Sequence, residues 1–183
     1  FTLALDQTAF DCSDVGASNT VTLTVTDASG NTDTCTATVT VEDNVSPTAL
    51  CQDVTIQLDA SGNASITTSD IDNGSSDNCS FTLSLDQTAF DCSDVGASNT
   101  VTLTVTDASG NVSTCEANVT VEDNIAPTAL CTDVTIQLDA SGNASITTAD
   151  IDNGSSDNCS FTLALDQTAF DCTMVGANTV TLT

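Results

Sequence analysis

The sequence predicts an all-β protein made of tandem β-sandwich repeats of about 80 residues. Three observations carry this expectation. Apolar residues recur with a period of two and form no helical stripe. Clusters of Asp, Ser, Gly and Asn separate the alternating runs, as turns require. Residues 1–80 and 81–160 differ at only nine positions, so the chain is an internal repeat.

The repeat is punctuated by a recurring joint, Val-Thr-Val-Glu-Asp-Asn-Val-Ser-Pro-Thr-Ala-Leu-Cys at 39–51 and its near-copy at 119–131. Pro47 fixes its own φ and restrains Ser46 to an extended conformation, which makes the joint short and stiff. Starting the frame at Pro47 gives one complete unit, 47–126. Residues 1–46 are then the C-terminal part of one repeat and 127–183 the N-terminal part of another, a window onto a longer polymer.

Within the complete unit, Val54, Ile56 and Leu58 alternate with Thr55, Gln57 and Asp59, and Ser61-Gly62-Asn63 makes a turn. Ala64, Ile66 and Ile71 follow. Phe81, Leu83 and Leu85 point one way and Thr82 and Ser84 the other. Val101, Leu103 and Val105 lead into the turn at 107–111. The last strand turns Cys115, Ala117, Val119 and Val121 inward and Glu116, Asn118 and Thr120 outward. Seven or so short strands in such a length read as an immunoglobulin-like sandwich.

The chain has 26 acidic residues and no Lys, Arg or His, for a net charge of -26. No side-chain salt bridge can form, so each carboxylate must be hydrated, hydrogen-bonded or metal-bound. Repulsion of roughly 1 kcal/mol per close exposed pair accumulates unless counter-ions intervene. Nucleic acid and anionic membrane surfaces are excluded as partners, because both require Lys or Arg. No apolar run has the length of a membrane span, and no leader peptide is recognisable. Nine cysteines in small repeated units point to an oxidising setting, so a mature segment that is extracellular, either secreted or at the cell surface, is expected.

A unit with one or two Phe and neither Trp nor Tyr has a small core, so covalent staples are expected. Four cysteines allow three pairings. The spacing favours Cys51 with Cys115, first strand to last, and Cys79 with Cys92 across the hairpin at 80–91, repeated as Cys159 with Cys172. On the chain-entropy account the first two stabilise by about 4 and about 3 kcal/mol. Cys35 with Cys51 is the competing arrangement and would tie neighbouring repeats together. Cys12, Cys35 and Cys131 receive no assigned partner.

An early-strand cysteine (Cys51), the run Val-Thr-Leu-Thr-Val-Thr-Asp-Ala-Ser-Gly-Asn at 101–111, and Cys115 in an alternating last strand together resemble the hyalin-repeat (HYR) family. The resemblance implies immunoglobulin-like modules in tandem, as in extracellular adhesion proteins and very large secreted bacterial surface proteins. Cys79 and Cys92 are additional to that pattern. The joint Glu42-Asp43-Asn44 followed by Pro47 also looks like the calcium-binding linkers of cadherin repeats.

In such a sandwich three acidic segments share one pole: the joint (Glu42, Asp43, Asn44), the loop at 70–78 (Asp70, Asp72, Asp77) and the turn containing Asp107 and Asn111. Calcium takes six to eight oxygen ligands, and these segments supply oxygen donors alone. A second site is expected at Glu122, Asp123, Asn124, Asp150, Asp152 and Asp157, with its closing turn beyond Thr183. The plain alternative is that these are turn residues on a solvated surface.

Catalysis is not expected: without His there is no Ser-His or Cys-His nucleophile, and aromatic or cationic groups to hold a sugar are nearly absent. Outward Thr stripes (20, 22, 24, 26 and 34, 36, 38, 40) are good strand formers whose hydroxyls offer O-glycan sites. Asn63, Asn111 and Asn118 head N-glycan sequons. The functional expectation is a structural rod or filament, stiffened by calcium at the joints and by disulfides within domains, whose partners are neighbouring repeats in a continuous fibre. The alternative is a multivalent adhesin that binds a glycan, a protein or another cell-surface ligand.

Overall fold

Alternation of Thr with Val and Leu forms the first sheet in the computed structural model, which describes residues 1–183. Strands β1 (Thr2–Leu5), β2 (Asn19–Thr26) and β3 (Thr32–Val39) pair antiparallel in the order β1-β2-β3. Leu23 lies opposite Leu5 on one side and Cys35 on the other.

Residues 47–126 then add β4 (Val54–Gln57), β5 (Asn63–Ser65), the single helical turn α1 (Thr68–Ile71), β6 (Phe81–Leu85), β7 (Ala89–Asp91), β8 (Asn99–Asp107) and β9 (Val112–Glu122). A four-stranded sheet runs β4-β9-β8-β6, and β5 pairs with β7. The chain ends with β10 (Asn143–Ser145), the helical turn α2 (Thr148–Ile151) and β11 (Ala169–Asp171), β10 pairing with β11. The fold is mostly β, as the periodicity predicts. The helical turn is the feature that a period of two does not reveal. It forms because Asp70 accepts hydrogen bonds from the N–H of Thr67 (2.7 Å) and from its hydroxyl (2.8 Å), closing a capping box.

Two compact units emerge, and their limits interleave along the chain. The first comprises Phe1–Val54, Ile66–Thr88 and Asn99–Val119. Its buried residues include Ile71, Val101, Leu103, Val105, Ala117 and Val119. Alternation along β8 is complete, with Val101, Leu103, Val105 and Asp107 buried and the intervening threonines half-exposed. The second unit comprises Thr55–Ser65, Ala89–Ser98 and Thr120–Thr183. It holds a core of Ile146, Ile151, Phe170 and Leu182, with Ile136, Leu163, Met174 and Val180 packed around it.

Three disulfides form: Cys12–Cys79, Cys51–Cys115 and Cys92–Cys159, while Cys35, Cys131 and Cys172 are free and exposed. Cys51–Cys115 is the staple expected from the sequence. The expected Cys79–Cys92 and Cys159–Cys172 bridges are corrected: Cys79 pairs back to Cys12, Cys92 pairs forward to Cys159, and Cys172 is unbridged. The reason lies in strand pairing. Residues 80–91 do not close as a hairpin, because β6 pairs with β8 while β7 pairs with β5. The two cysteines flanking this segment are therefore delivered to different neighbourhoods. The alternative Cys35–Cys51 bridge is also absent. Yet covalent linkage across the repeat frame, which that alternative envisaged, is present through Cys12–Cys79 and Cys92–Cys159, each within one compact unit.

Gly62 shows how closely one bridge is approached. It sits in a turn at φ +74°, and a Cβ there would come within 2.7 Å of both the Asn158 carbonyl oxygen and Cys92 Sγ. Only glycine offers that backbone conformation and that clearance together.

Identical sequences occupy unlike environments. Leu103 is fully buried in β8, whereas Leu23 at the same position of β2 is half-exposed. Leu103→Ala is expected to cost about 2–5 kcal/mol in urea unfolding, and Leu23→Ala distinctly less. Equal losses from the two substitutions would contradict this difference in burial.

Candidate metal centre

Asp43, Asp77 and Asp107 converge from three segments: the extended joint after β3, the loop between α1 and β6, and the end of β8. Each offers a carboxylate oxygen within 4.8 Å of the others. All three belong to the first compact unit.

Local hydrogen bonding fixes each side chain. Asp43 Oδ1 accepts from the N–H of Val45 (3.1 Å) and the side-chain amide of Asn78 (3.2 Å). Asp77 Oδ2 accepts from the N–H of Cys79 (3.0 Å), the residue bridged to Cys12. Asp107 is only 6% exposed. Its Oδ1 accepts from the N–H groups of Ser109 (2.9 Å) and Asn111 (2.7 Å), and its Oδ2 from the Asn111 side chain (2.8 Å). The same Asn111 amide donates to the Asp43 carbonyl oxygen at 3.1 Å, tying joint to turn.

Two oxygens are left over. Asp43 Oδ2 and Asp77 Oδ1 are buried and accept no hydrogen bond. Buried acceptors without partners cost about 1–3 kcal/mol each, and more when charged. The chain has no Lys, Arg or His to neutralise them. Three convergent carboxylates with no soft donor among them could hold a hard divalent cation.

The other predicted ligands go elsewhere. Glu42 and Asn44 are exposed and hydrogen-bond to each other. Asp70 caps α1, and Asp72 accepts from the N–H of Ser75 at 2.9 Å. Asp150 caps α2 through Thr147 in the same way, and Asp152 accepts from Ser155. Glu122 receives the Gln57 side chain at 2.6 Å, and Asn124 also bonds to Gln57. Asp123 and Asp157 stand at the positions of Asp43 and Asp77 in the next copy of the repeat. Asn158 donates to Asp123 Oδ1 (3.1 Å), while Asp157 Oδ1 and Asn158 Oδ1 are buried without partners. Sequence reasoning passed over Asn78 and Asn158. Their signal is the invariant Asp-Asn-Cys order at 77–79 and 157–159, which places an amide donor between a ligand and a bridge.

Electrostatics follow from these bonds. Burial opposes ionisation of Asp107, but the Asn111 side chain and N–H, then Ser109 and Gly110, outweigh it and hold the carboxyl below its ordinary value. Asp70 is lowered first by the Thr67 N–H and then by its hydroxyl. A folded-state pKa below the unfolded one contributes stability that is complete above the ordinary Asp value of about 3.9 and is lost as pH falls through the folded value.

No family model and no curated protein matches this chain.

In chelator, urea midpoints should therefore fall steeply below about pH 4. Asp107→Asn sets an amide against the Asn111 amide, so this variant should be less stable at pH 7 and show a shallower acid limb. An acid limb as steep as that of the parent protein would contradict the assignment.

Proposed function

We propose that the chain is a structural extracellular protein, a rod of tandem immunoglobulin-like units of the HYR type, in which calcium stiffens each joint. One observation carries the reading. At the boundary between repeats, the carboxylates of Asp43, Asp77 and Asp107 converge, and Asp43 Oδ2 and Asp77 Oδ1 are buried without partners in a chain with no cationic side chain.

Asp43 comes from the end of one repeat, and Asp77 and Asp107 from the next. A cation held between them replaces repulsion with shared coordination, so bending the joint means losing ligands. Without the ion, like charges at this spacing drive the segments apart. Asp43, Asp77 and Asp107 would hold calcium, with Asn78 and Asn111 orienting the carboxylates.

The extracellular setting is supported by three disulfides, which persist in oxidising compartments. No helix is long and apolar enough to cross a membrane. The neighbours of each unit in this reading are further copies of the repeat.

Calorimetric titration should find one site per chain that binds calcium, with a dissociation constant of about 10⁻⁴–10⁻³ M or tighter, the range of extracellular modules. Asp77→Asn should abolish it. X-ray scattering should show a stiffer particle in calcium than in chelator. Identical scattering in the two, or undiminished binding in the Asp77→Asn variant, would overturn the reading.

A further inference from the structure

The bridges that cross the repeat frame share one sequence interval. Cys12–Cys79 and Cys92–Cys159 each close a separation of 67 residues, and the second begins just beyond the end of the first. We propose that the chain bears tension along a covalent shortcut through these two disulfides, with seven of its eleven strands and both helical turns held in loops that carry no load.

The path follows from connectivity alone. Force applied between Phe1 and Thr183 enters at Cys12, crosses to Cys79, runs along the backbone through β6 and β7 to Cys92, crosses to Cys159, and continues to the terminus. Residues 13–78 and 93–158 lie in closed loops beside this path. They contain β2 to β5, β8, β9, β10 and both helical turns. Asp43, Asp77 and Asp107, the Asn158–Asp123 hydrogen bond and the Cys51–Cys115 bridge all belong to the shielded loops. Each intact bridge withholds about 240 Å of extended chain.

Cys51–Cys115 has a different role. It joins the two loops to each other and shortens no part of the load path, which already bypasses both its ends. Similar bridges, and nearly equal loop lengths, thus have opposite mechanical consequences. That contrast makes the proposal testable with no reference to calcium, so its failure and that of the calcium joint are separable.

The experiment is single-molecule stretching of the full chain between handles at its two ends, with Cys35, Cys131 and Cys172 alkylated. Oxidised protein should reach a limit of about 170 Å, and the reduced chain about 650 Å. Cys51→Ser with Cys115→Ser should leave the oxidised limit unchanged, whereas Cys12→Ser with Cys79→Ser should raise it to about 350 Å. Because covalent connectivity sets these limits, they hold for any chain in which the stated bridges have formed, which peptide mapping of the oxidised protein establishes beforehand. Adding dithiothreitol under load should lengthen the parent chain in discrete steps, as reductant thiolate attacks a bridge and is itself oxidised to the cyclic disulfide while two cysteine thiols are released. An oxidised chain that extends to about 650 Å before reductant is added, or a limit that shifts on loss of Cys51–Cys115 alone, would overturn the proposal.

Discussion

Charge of one sign is the constraint on which the rest of this structure depends. With 26 acidic residues and no cationic side chain, the fold cannot neutralise a carboxylate by pairing it. It uses backbone N–H groups and short hydroxyl and amide side chains instead. Asp27, Asp59, Asp107 and Asp139 each accept from N–H groups two and four residues on and so build their own turns. Asp70 and Asp150 cap the helical turns. Asp6 and Asp86 reach across to the N–H groups of Thr22 and Thr102 in the neighbouring strand. The acids are thereby converted from a repulsive burden into local structure, and at Asp6, Asp27, Asp70, Asp86, Asp107, Asp139 and Asp150 the same bonds favour the ionised form. Aspartates that local bonding leaves incompletely satisfied, Asp43, Asp77 and Asp157, are where the cation reading arises.

Much of the fold is legible from alternation, because each strand has one face on a core and one in water. The inward and outward sets of β8 and β9 follow the sequence pattern closely. The Cys51–Cys115 staple is legible too, since it joins the first strand to the last. What alternation does not encode is which strand pairs with which. Ser80 to Asp91 looks like a hairpin because its two apolar runs are close in sequence. The break at residues 86–88 instead sends β7 to β5, and the expected Cys79–Cys92 bridge is lost with the hairpin. The candidate site is partly legible for a related reason: residue type identifies oxygen donors, whereas only the fold separates Asp77 from Asp70 and Asp72, whose carboxylates serve the backbone beside them.

The repeat itself provides a control on how much a short segment dictates. Val54–Gln57 and residues 134–137 have the same sequence, Val-Thr-Ile-Gln, yet the first forms β4 and the second is not a strand. The difference is the partner: β4 lies beside β9 in its sheet, and residues 134–137 have no such neighbour. Strand propensity here describes fitness for a half-buried ladder, and the ladder has to be present for the propensity to be expressed. Leu23 and Val25 in β2 have ladder partners on both sides and are still half-exposed, whereas Leu103 and Val105 in β8 are fully buried, so burial depends on what covers the face of the sheet as well as on the ladder.

In the proposed reading, coordination and covalent bonding would act on the boundary between repeats in different ways, and the difference explains why one boundary would use both. A cation bound by carboxylates resists bending, because ligands at fixed distance penalise rotation, but it exchanges and responds to its concentration. A disulfide tolerates rotation about its bonds and resists only separation of its ends. Asp77 and Cys79 stand two residues apart, and the N–H of Cys79 is the donor that orients Asp77 Oδ2. The bridge and the candidate cation ligand are thus set by one short turn. Drawing Cys79 towards Cys12 also fixes the carboxylate that faces Asp43 and Asp107. A segment that looks in sequence like a simple acidic loop therefore ties a disulfide to the candidate cation site, and in the proposed reading it would couple axial strength to the geometry of that site.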